Sequence, residues 1–313
     1  SISESRNPVK DVTSREDARF TQDASSPQLD VGSPPLHRMA MSEMTTYRWT
    51  FPEDVTAYRE AGVDAIGIWR PKLSQFGDER GIDLVRESGL SVSSLSWAGG
   101  FTGSNGHSFR ECVDDARDAI NVAGALGAEC LVIMSGARAG HTANHARRLL
   151  IDGLDLLADS AAAHGVALAI QPVHPKLAGE WSFLTTLDDT LDVIDRCNHD
   201  CVRMAFDIYH LWHEPRLIER IPEFASLVSL VQLSDWREPT RSDHDRCLPG
   251  DGDIPLGDVV SAFADSEYDG YYEFEIWSEE LWKSDYDQII KSCRSRFDDL
   301  FTRRRSIQES PPL

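Results

Sequence analysis

The stretch PEDVTAYREAGVDAIGIWR, residues 52–70, carries the pattern that decides the fold. Its first part, residues 52–62, has apolar residues at helical spacing and ends on a glycine, which is typical of an amphipathic helix with a glycine stop. Its second part, residues 64–70, is a short apolar run of the kind that forms a buried strand. The stretch therefore predicts a helix followed closely by a strand.

The same unit recurs along the chain. A helical pattern in residues 110–127 leads into the apolar run ECLVIMSG, and further runs follow at residues 166–175, 202–210, 228–235 and 271–278. With the opening segment AMSEMTTYRW and the closing helix SDYDQIIKSCRSRF, the pattern gives eight strands alternating with helices, which is a single-domain (β/α)8 TIM barrel. A doubly wound open sheet is the alternative, and it is weakened because no GxGxxG follows the first strand.

We place the barrel at residues 39–300 and a C-terminal tail at residues 301–313. Residues 1–38 are rich in Ser, Asp, Pro and Arg and have few branched apolar residues. Such a segment buries too little surface to offset the entropy of ordering, so it is expected to be a disordered tail. The alternative is an arm that docks on a second subunit.

Composition narrows the class of protein. The 313 residues are 41% hydrophobic, and 52 acidic against 31 basic residues give a net charge of −21, which disfavours nucleic acid as a partner. Six cysteines without a CxxC pair suggest reduced thiols. No apolar run is long enough to cross a membrane, and no signal peptide is evident. We expect a cytoplasmic protein without membrane or nucleic-acid partners.

Polar residues stand at the ends of four consecutive predicted strands. They are Gln171, Asp207, Gln232 and Glu275. In a TIM barrel these strand ends surround the active site, and a buried polar group needs a partner. The pattern predicts either a set of oxygen ligands for Mn²⁺, Mg²⁺ or Co²⁺, or a hydrogen-bonded polar core without a metal.

The sequence motifs at the strand ends carry a family resemblance. The segments LAIQPVHP, FDIYH, VQLSDW, LPGDGDIPL and YDGYYEFEIWS occur in this order. They resemble the sugar phosphate isomerase/epimerase family of xylose isomerase-like barrels, and the resemblance covers residues 39–297. It implies a metal-dependent enzyme acting on a sugar or polyol, since the family includes isomerases, 3-epimerases, inosose dehydratases and subunits of C-glycoside-cleaving enzymes.

The resemblance places the family's metal ligands on Gln171, Asp207, Gln232 and Glu275, with Mn²⁺ as the first choice and Mg²⁺ or Co²⁺ as alternatives. Many members have His at position 232, although a branch with the QLSDW wording uses Gln. The fifth-strand position is usually Glu, which in the epimerases is both ligand and base. A glutamine cannot hold and release a proton near neutral pH, so the two-base mechanism is in doubt.

The remaining base is Glu275, and the partner acids are His174 and His210, each about three residues beyond a ligand position. We therefore predict a divalent-metal-dependent isomerase or epimerase that removes a proton α to a carbonyl through an enediolate. A lyase or C-glycoside-cleaving relative is one alternative. A non-catalytic sugar-binding barrel is the other, because Gln171 replaces the usual Glu.

The predicted substrate-binding residues are Arg246, Trp97, Trp236 and Asp235. Arginine binds hydroxyls and anions through its planar donor fork, and tryptophan stacks on the C–H faces of sugars. The alternatives are surface ion pairs for the arginines of residues 236–246 and a core-closing role for each tryptophan. We expect an unphosphorylated sugar because the aspartates of LPGDGD would repel a phosphate. Family members often form dimers or tetramers, so the resemblance also points to a homo-oligomer.

Overall fold

The structure, a computed structural model, describes residues 37–308, with side chains described as far as residue 302. Its eight strands are parallel and close into a barrel in chain order. This confirms the predicted TIM barrel. The strands are β1 Arg38–Ser42, β2 Ala65–Trp69, β3 Ser91–Gly99, β4 Cys130–Met134, β5 Ala167–Ile170, β6 Val202–Asp207, β7 Val228–Leu233 and β8 Tyr271–Phe274.

Helices follow the strands around the outside of the barrel. They are α1 Phe51–Glu60, α2 Arg70–Phe76, α3 Asp78–Ser88, α4 Phe109–Leu126, α5 Ala143–Ala163, α6 Leu187–Cys197, α7 Ile208–Leu211, α8 Leu217–Phe224, α9 Leu256–Asp265 and α10 Tyr286–Gln308. The short helices α2 and α7 were not predicted, because each begins directly at a strand end without a connecting loop. Helix α7 carries His210, one of the predicted site residues.

The helix ends use ordinary capping chemistry. The Ser108 side chain accepts the backbone N–H of Glu111, and the Glu111 side chain accepts the N–H of Ser108, which together form a capping box before α4. At the other end Gly127 adopts φ 67°, a left-handed conformation that suits glycine. Glycine stops of this kind allow the chain to turn directly from a helix into the next strand.

The barrel interior contains both apolar and polar side chains. A small apolar cluster fills part of it, formed by Ala40, Ala65, Cys130, Val132, Ala169, Ala205, Leu230 and Tyr271. A polar layer includes Glu273, whose carboxylate accepts hydrogen bonds from Ser93 (2.6 Å), Ser94 (2.8 Å) and Gln232 (3.0 Å). A Cβ on Gly67 would come within 2.5 Å of this carboxylate, so glycine makes room for it. The polar residues at the strand ends therefore lie above a barrel interior that is filled with side chains.

The limits of the described region can be compared with the predicted domain limits. Apart from His37 and Arg38, the predicted N-terminal tail lies outside the described residues, and Arg38 begins β1. Helix α10 continues to Gln308, eight residues past the predicted barrel end at 300. Across residues 37–308 no helix is both long and apolar enough to cross a membrane. All six cysteines are free thiols.

Candidate active site

A cavity of about 230 Å³ opens at the carboxyl ends of the strands. Its polar lining includes Gln171, His210, Arg246 and Glu275, and its apolar lining includes three tryptophans. The volume lies just below the range of about 300–1,000 Å³ that is usual for drug-sized ligands, so the cavity suits a small molecule. Five of the ten predicted site residues line it, namely these four and Trp97.

Glu275 follows β8 directly and is 2% exposed. The Ser42 hydroxyl at the end of β1 donates to its Oε1 at 3.1 Å. Burial raises the pKa of Glu275 to about 8, Arg246 opposes the shift, and the neighbouring Glu273 and Asp207 carboxyls add to it. Glu275 is thus a carboxyl group that can exchange a proton near neutral pH at the cavity wall.

Asp207 and Arg246 form a buried ion pair beside Glu275. Nη1 of Arg246 lies 2.8 Å from Oδ2 of Asp207 and also donates to the backbone carbonyl of Glu275 at 2.9 Å. The guanidinium lies over the Tyr209 ring, 4.5 Å from its centroid. Asp207 is fully buried and its burial raises its pKa, an effect that the Arg246 charge opposes. Arg246 therefore lines the cavity as one half of an ion pair with Asp207. Arg241 instead forms ion pairs with Asp245 and Glu280.

His210 is held by the groups on both sides of its ring. Its Nδ1 accepts the backbone N–H of His174 at 3.1 Å, which leaves the proton of a neutral imidazole on Nε2. Nε2 lies 3.7 Å from Oδ2 of Asp207 and 3.2 Å from Nη2 of Arg246. Burial and the Arg246 charge lower the pKa of His210, so the ring is neutral and presents an N–H. The ring lines the cavity, and its Nε2 lies next to Asp207 and Arg246.

His174 and Trp236 lie behind the cavity rather than in its lining. The His174 ring packs against the rings of His213 and Trp236, with centroids 4.3 and 4.7 Å away, and its Nδ1 accepts the N–H of Lys176 at 3.1 Å. Burial lowers the pKa of His174 to about 4. Both residues support the cavity from outside: His174 through the backbone bond to His210, and Trp236 through its ring contact with Tyr209 at 4.7 Å.

Asp235, predicted to bind substrate, is fully buried in the loop after β7. Its Oδ1 accepts the backbone N–H groups of Trp236 and Ile254, and its Oδ2 accepts those of Gly250 and Gly252, at distances of 2.8 to 3.0 Å. These contacts anchor the Pro-Gly-Asp-Gly turn to the strand end. The structure therefore places this carboxylate in the loop and outside the cavity lining.

The two predicted amide ligands differ in position. Gln171 follows β5 directly and lines the cavity, whereas Gln232 stands in register between Asp207 on β6 and Glu273 on β8. Within the described part of the chain, the Oε1 atoms of both amides are buried without a hydrogen-bond partner. The same region contains no cluster of three His, Cys, Asp or Glu side chains placed to hold a metal.

Several lining residues were not predicted. The loop after β5 contributes Leu177 and Trp181, the segment after β8 contributes Trp277, and the loop after β7 contributes Asp243 and His244. Trp277 was visible as an aromatic residue next to a strand end. Trp181, by contrast, stands in an irregular loop with no periodic pattern that would orient its ring.

The sequence pattern of the xylose isomerase-like TIM barrel family matches residues 55–296. Among solved structures, protein SMc04130 from Sinorhizobium meliloti superposes with a TM-score of 0.78 at 30% identity, covering 84% of this chain and 98% of that one. The IOLI protein, whose crystal structure holds a zinc atom, superposes with a TM-score of 0.74 at 19% identity over 85% of this chain and 98% of its own. The latter likeness shows the fold alone.

Two curated relatives are enzymes. A 3-dehydroshikimate dehydratase of Pseudomonas putida is 22% identical over 246 residues, which are 74% of this chain but 36% of that protein. A putative hydroxypyruvate isomerase of Streptomyces coelicolor is 25% identical over 71% of this chain and 84% of its own length. The chain thus spans about a third of the length of the dehydratase. These relatives support the prediction that the chain is an enzyme acting on a sugar derivative.

Proposed function

The chain belongs to the xylose isomerase-like TIM barrel family, and on that premise we propose that it is a divalent-metal-dependent isomerase or epimerase of an unphosphorylated sugar derivative. One observation carries the proposal. The Glu275 carboxyl, the Arg246 guanidinium and the His210 ring meet at the polar side of one small cavity that has tryptophan walls. A base, a fixed positive charge and a neutral N–H donor are what proton transfer next to a carbonyl requires.

The roles follow from these positions. Glu275 removes the proton from the carbon α to the substrate carbonyl, and the electron pair of the broken C–H bond moves to the carbonyl oxygen to give an enediolate. The guanidinium of Arg246 and the N–H of His210 stabilise that developing negative charge. Glu275 then returns the proton to the neighbouring carbon while the hydroxyl proton of the α-carbon passes to the former carbonyl oxygen, and the product is the isomeric sugar.

Gln171 decides between the two reaction types. An epimerase must return a proton to the opposite face of the same carbon, which in a two-base mechanism requires a second acid facing Glu275. The amide of Gln171 cannot supply it. A single base can move a proton between neighbouring carbons on one face, so the geometry favours isomerisation over epimerisation.

The proposed cation would be held by oxygen atoms. The unpartnered amide oxygens of Gln171 and Gln232 and the carboxylates of Asp207 and Glu275 form an oxygen-only set, which suits Mn²⁺ first and also Mg²⁺ or Co²⁺. A cation held there would polarise the substrate carbonyl as a Lewis acid. It would share Asp207 with Arg246, which already lies 2.8 Å from that carboxylate.

A lyase is the second candidate. Of the two carboxyls of the described region that line the cavity, Glu275 is buried and Asp243 is exposed. A β-elimination requires one base for the α-proton and one donor for the leaving group. The ring of His210 can hydrogen-bond to the leaving oxygen. Glu275 takes the α-proton, the electron pair of that C–H bond forms the new double bond as the C–O bond to the β-carbon breaks, and the proton on Glu275 passes to the leaving oxygen, which departs as water.

Proton exchange tests the proposal directly. In D₂O with added Mn²⁺, unphosphorylated aldoses, ketoses and keto-polyols are followed by NMR for loss of the α C–H signal. We expect exchange with at least one of them and a loss of at least about a hundredfold in Glu275→Gln, as removal of a general base typically causes. Glu279→Gln, an exposed carboxylate nearby, is the matched control. If no substrate exchanges its α-proton, the non-catalytic sugar-binding barrel is the better hypothesis.

Metal content tests the cation separately. After chelation and dialysis against Mn²⁺, Mg²⁺ or Co²⁺, we expect one ion per chain, lost in Glu275→Gln. Gln171→Glu should bind the ion more tightly because a carboxylate is a stronger ligand than an amide, while Gln171→Met should bind it more weakly. A native protein that stays empty while Gln171→Glu fills would contradict the metal part of the proposal.

Six free thiols, five of them buried, are in keeping with the proposed cytoplasmic location. The homo-oligomer stays a prediction, and sedimentation velocity of the full chain would test it.

A further inference from the structure

A second cavity of about 360 Å³ adjoins the first. The two share one wall, formed by Trp97, Met134 and Trp181. The second cavity is therefore the immediate neighbour of the first, and the same three side chains line both. Glu275, His210 and Arg246 line the first cavity and are not part of the second.

Three tryptophans form the aromatic side of this arrangement. The ring centroids of Trp97, Trp181 and Trp277 are separated by 5.5, 5.6 and 5.9 Å, so each ring contacts both others. Trp181 is 42% exposed, which makes it one of few large apolar side chains of the described region on the surface. An exposed apolar ring at the mouth of a cavity is typical of a ligand contact.

The aromatic wall is held in place from behind. The backbone carbonyl of Trp181 accepts the N–H of Gly136 at 2.9 Å, and Phe183 donates back to the Gly136 carbonyl at 2.8 Å. The carbonyl of Trp97 accepts from Arg70 at 2.9 Å, and two bonds from Arg70 to Asp115, at 2.8 and 2.9 Å, fix that guanidinium. Rings fixed before binding cost little ordering entropy when a ligand stacks on them.

The second cavity has a polar lining suited to hydroxyl groups. Ser104, Asn105 and Glu180 line it with side chains that donate or accept hydrogen bonds. Glycines bring the backbone close: a Cβ on Gly136 would lie 2.6 Å from the Ser104 hydroxyl. Hydroxyl-binding groups beside a tryptophan face match a sugar ring, which has polar edges and apolar C–H faces.

We propose that the substrate is a disaccharide-like glycoside. Its reacting unit occupies the first cavity, and a second sugar ring, linked to it by a glycosidic bond, stacks on Trp97 and Trp181 in the second cavity. This inference rests on the proposed function for the first cavity. It replaces a free monosaccharide with a two-unit molecule and assigns the second cavity to binding alone.

Binding measurements test this without depending on turnover. Titration calorimetry compares glucose and methyl glucoside with cellobiose, maltose and trehalose, and with phenyl glucoside as an aryl probe. We expect at least one disaccharide to bind about tenfold or more tightly than the monosaccharides, which corresponds to about 1.4 kcal/mol. Glu180 lines the second cavity and not the first, so Glu180→Ala should reduce this gain and leave monosaccharide affinity unchanged. Trp181→Ala should abolish the gain.

Tyr47→Ala is the matched control, because Tyr47 is an equally exposed aromatic residue (44%) that lines neither cavity. It should change no affinity. Equal binding of mono- and disaccharides would overturn the inference, and so would an affinity gain that survives Trp181→Ala. In both cases, binding of monosaccharides would still be consistent with the proposed function. Preference for phenyl glucoside over every disaccharide would overturn the assignment of a second sugar. Absence of all carbohydrate binding would overturn both proposals.

Discussion

The Arg246 guanidinium lies 2.8 Å from the Asp207 carboxylate, and both side chains are at least 95% buried. Asp207 ends β6, while Arg246 comes from the loop after β7, so the pair joins a long loop to the barrel. The same guanidinium donates to the backbone carbonyl of Glu275 at 2.9 Å. Arg246 therefore neutralises a buried acid and ties together the ends of three strands.

Removing Arg246 should destabilise the fold strongly. Arg246→Met leaves the Asp207 charge buried without its partner, and breaking a buried pair in this way typically costs about 3–5 kcal/mol of unfolding free energy. Urea unfolding at pH 7 measures the change. The control Arg196→Met removes an exposed partner of Asp192, a pair at 2.9 Å, and should cost no more than about 1 kcal/mol. Equal losses in the two variants would contradict the interpretation of the buried pair.

His174 should make stability depend on pH. Burial lowers its pKa to about 4 from the ordinary 6.5, so between these values the unfolded chain binds more protons than the folded one. The free energy of unfolding should therefore fall as pH falls from about 6.5 towards 4, and be fully present above 6.5. His210 has its pKa lowered as well and acts in the same direction.

The matched variants are His174→Gln and His107→Gln, the latter on an exposed ring. Chemical unfolding at several pH values should show a shallower slope for His174→Gln between pH 4 and 6.5, and the native slope for His107→Gln. A His174→Gln slope as steep as that of the native protein would show that the buried ring is not the cause.

Asp235 should act on the loop after β7. In Asp235→Asn an amide group replaces one carboxylate oxygen, so N–H donors that now share that oxygen, such as Gly250 and Gly252, would face another donor. Bonds to a charged acceptor are worth about 1.5–3 kcal/mol each, so a loss of about 2–4 kcal/mol is expected in thermal or urea unfolding. Hydrogen exchange at Gly250 and Gly252 should accelerate before the barrel unfolds. Unchanged protection there would contradict the anchoring role.

The fold could be predicted because its cause is local and repeated. Helix periodicity, a glycine stop and a short apolar run recur along the chain, and each can be recognised without knowledge of the others. Gln171 and Glu275 were found by the same logic, since a residue that directly follows a parallel strand must lie at the barrel mouth. Position along a strand is enough to place such a side chain.

The remainder of the site depends on contacts that have no sequence period. Trp236 was expected to touch substrate, but its ring packs against His174 and Tyr209 outside the cavity lining. Trp181 was not predicted, and it lines both cavities because a backbone pairing with Gly136 turns its loop towards β4. Loop direction is set by such tertiary hydrogen bonds, which a single sequence does not display.

A buried lysine near the end of β1 supports the last prediction. All three N–H donors of Lys72 are used: by Asp54 at 2.8 Å and by the backbone carbonyls of Glu43 at 3.0 Å and Thr46 at 2.9 Å. Asp54 is fully buried, and burial raises its pKa although Lys72 opposes the shift. The pair connects α1 and α2 to the loop that follows β1.

Lys72→Met should cost about 3–5 kcal/mol of unfolding free energy, since Asp54 would keep its burial and lose its counter-charge. Adding Asp54→Asn removes the unpaired charge, so the double variant should be more stable than Lys72→Met alone. The double-mutant cycle, measured by urea unfolding at pH 7, gives the coupling between the two side chains. Strictly additive losses would show that Lys72 stabilises the loop through the two carbonyls alone, because a charge partnership must appear as coupling.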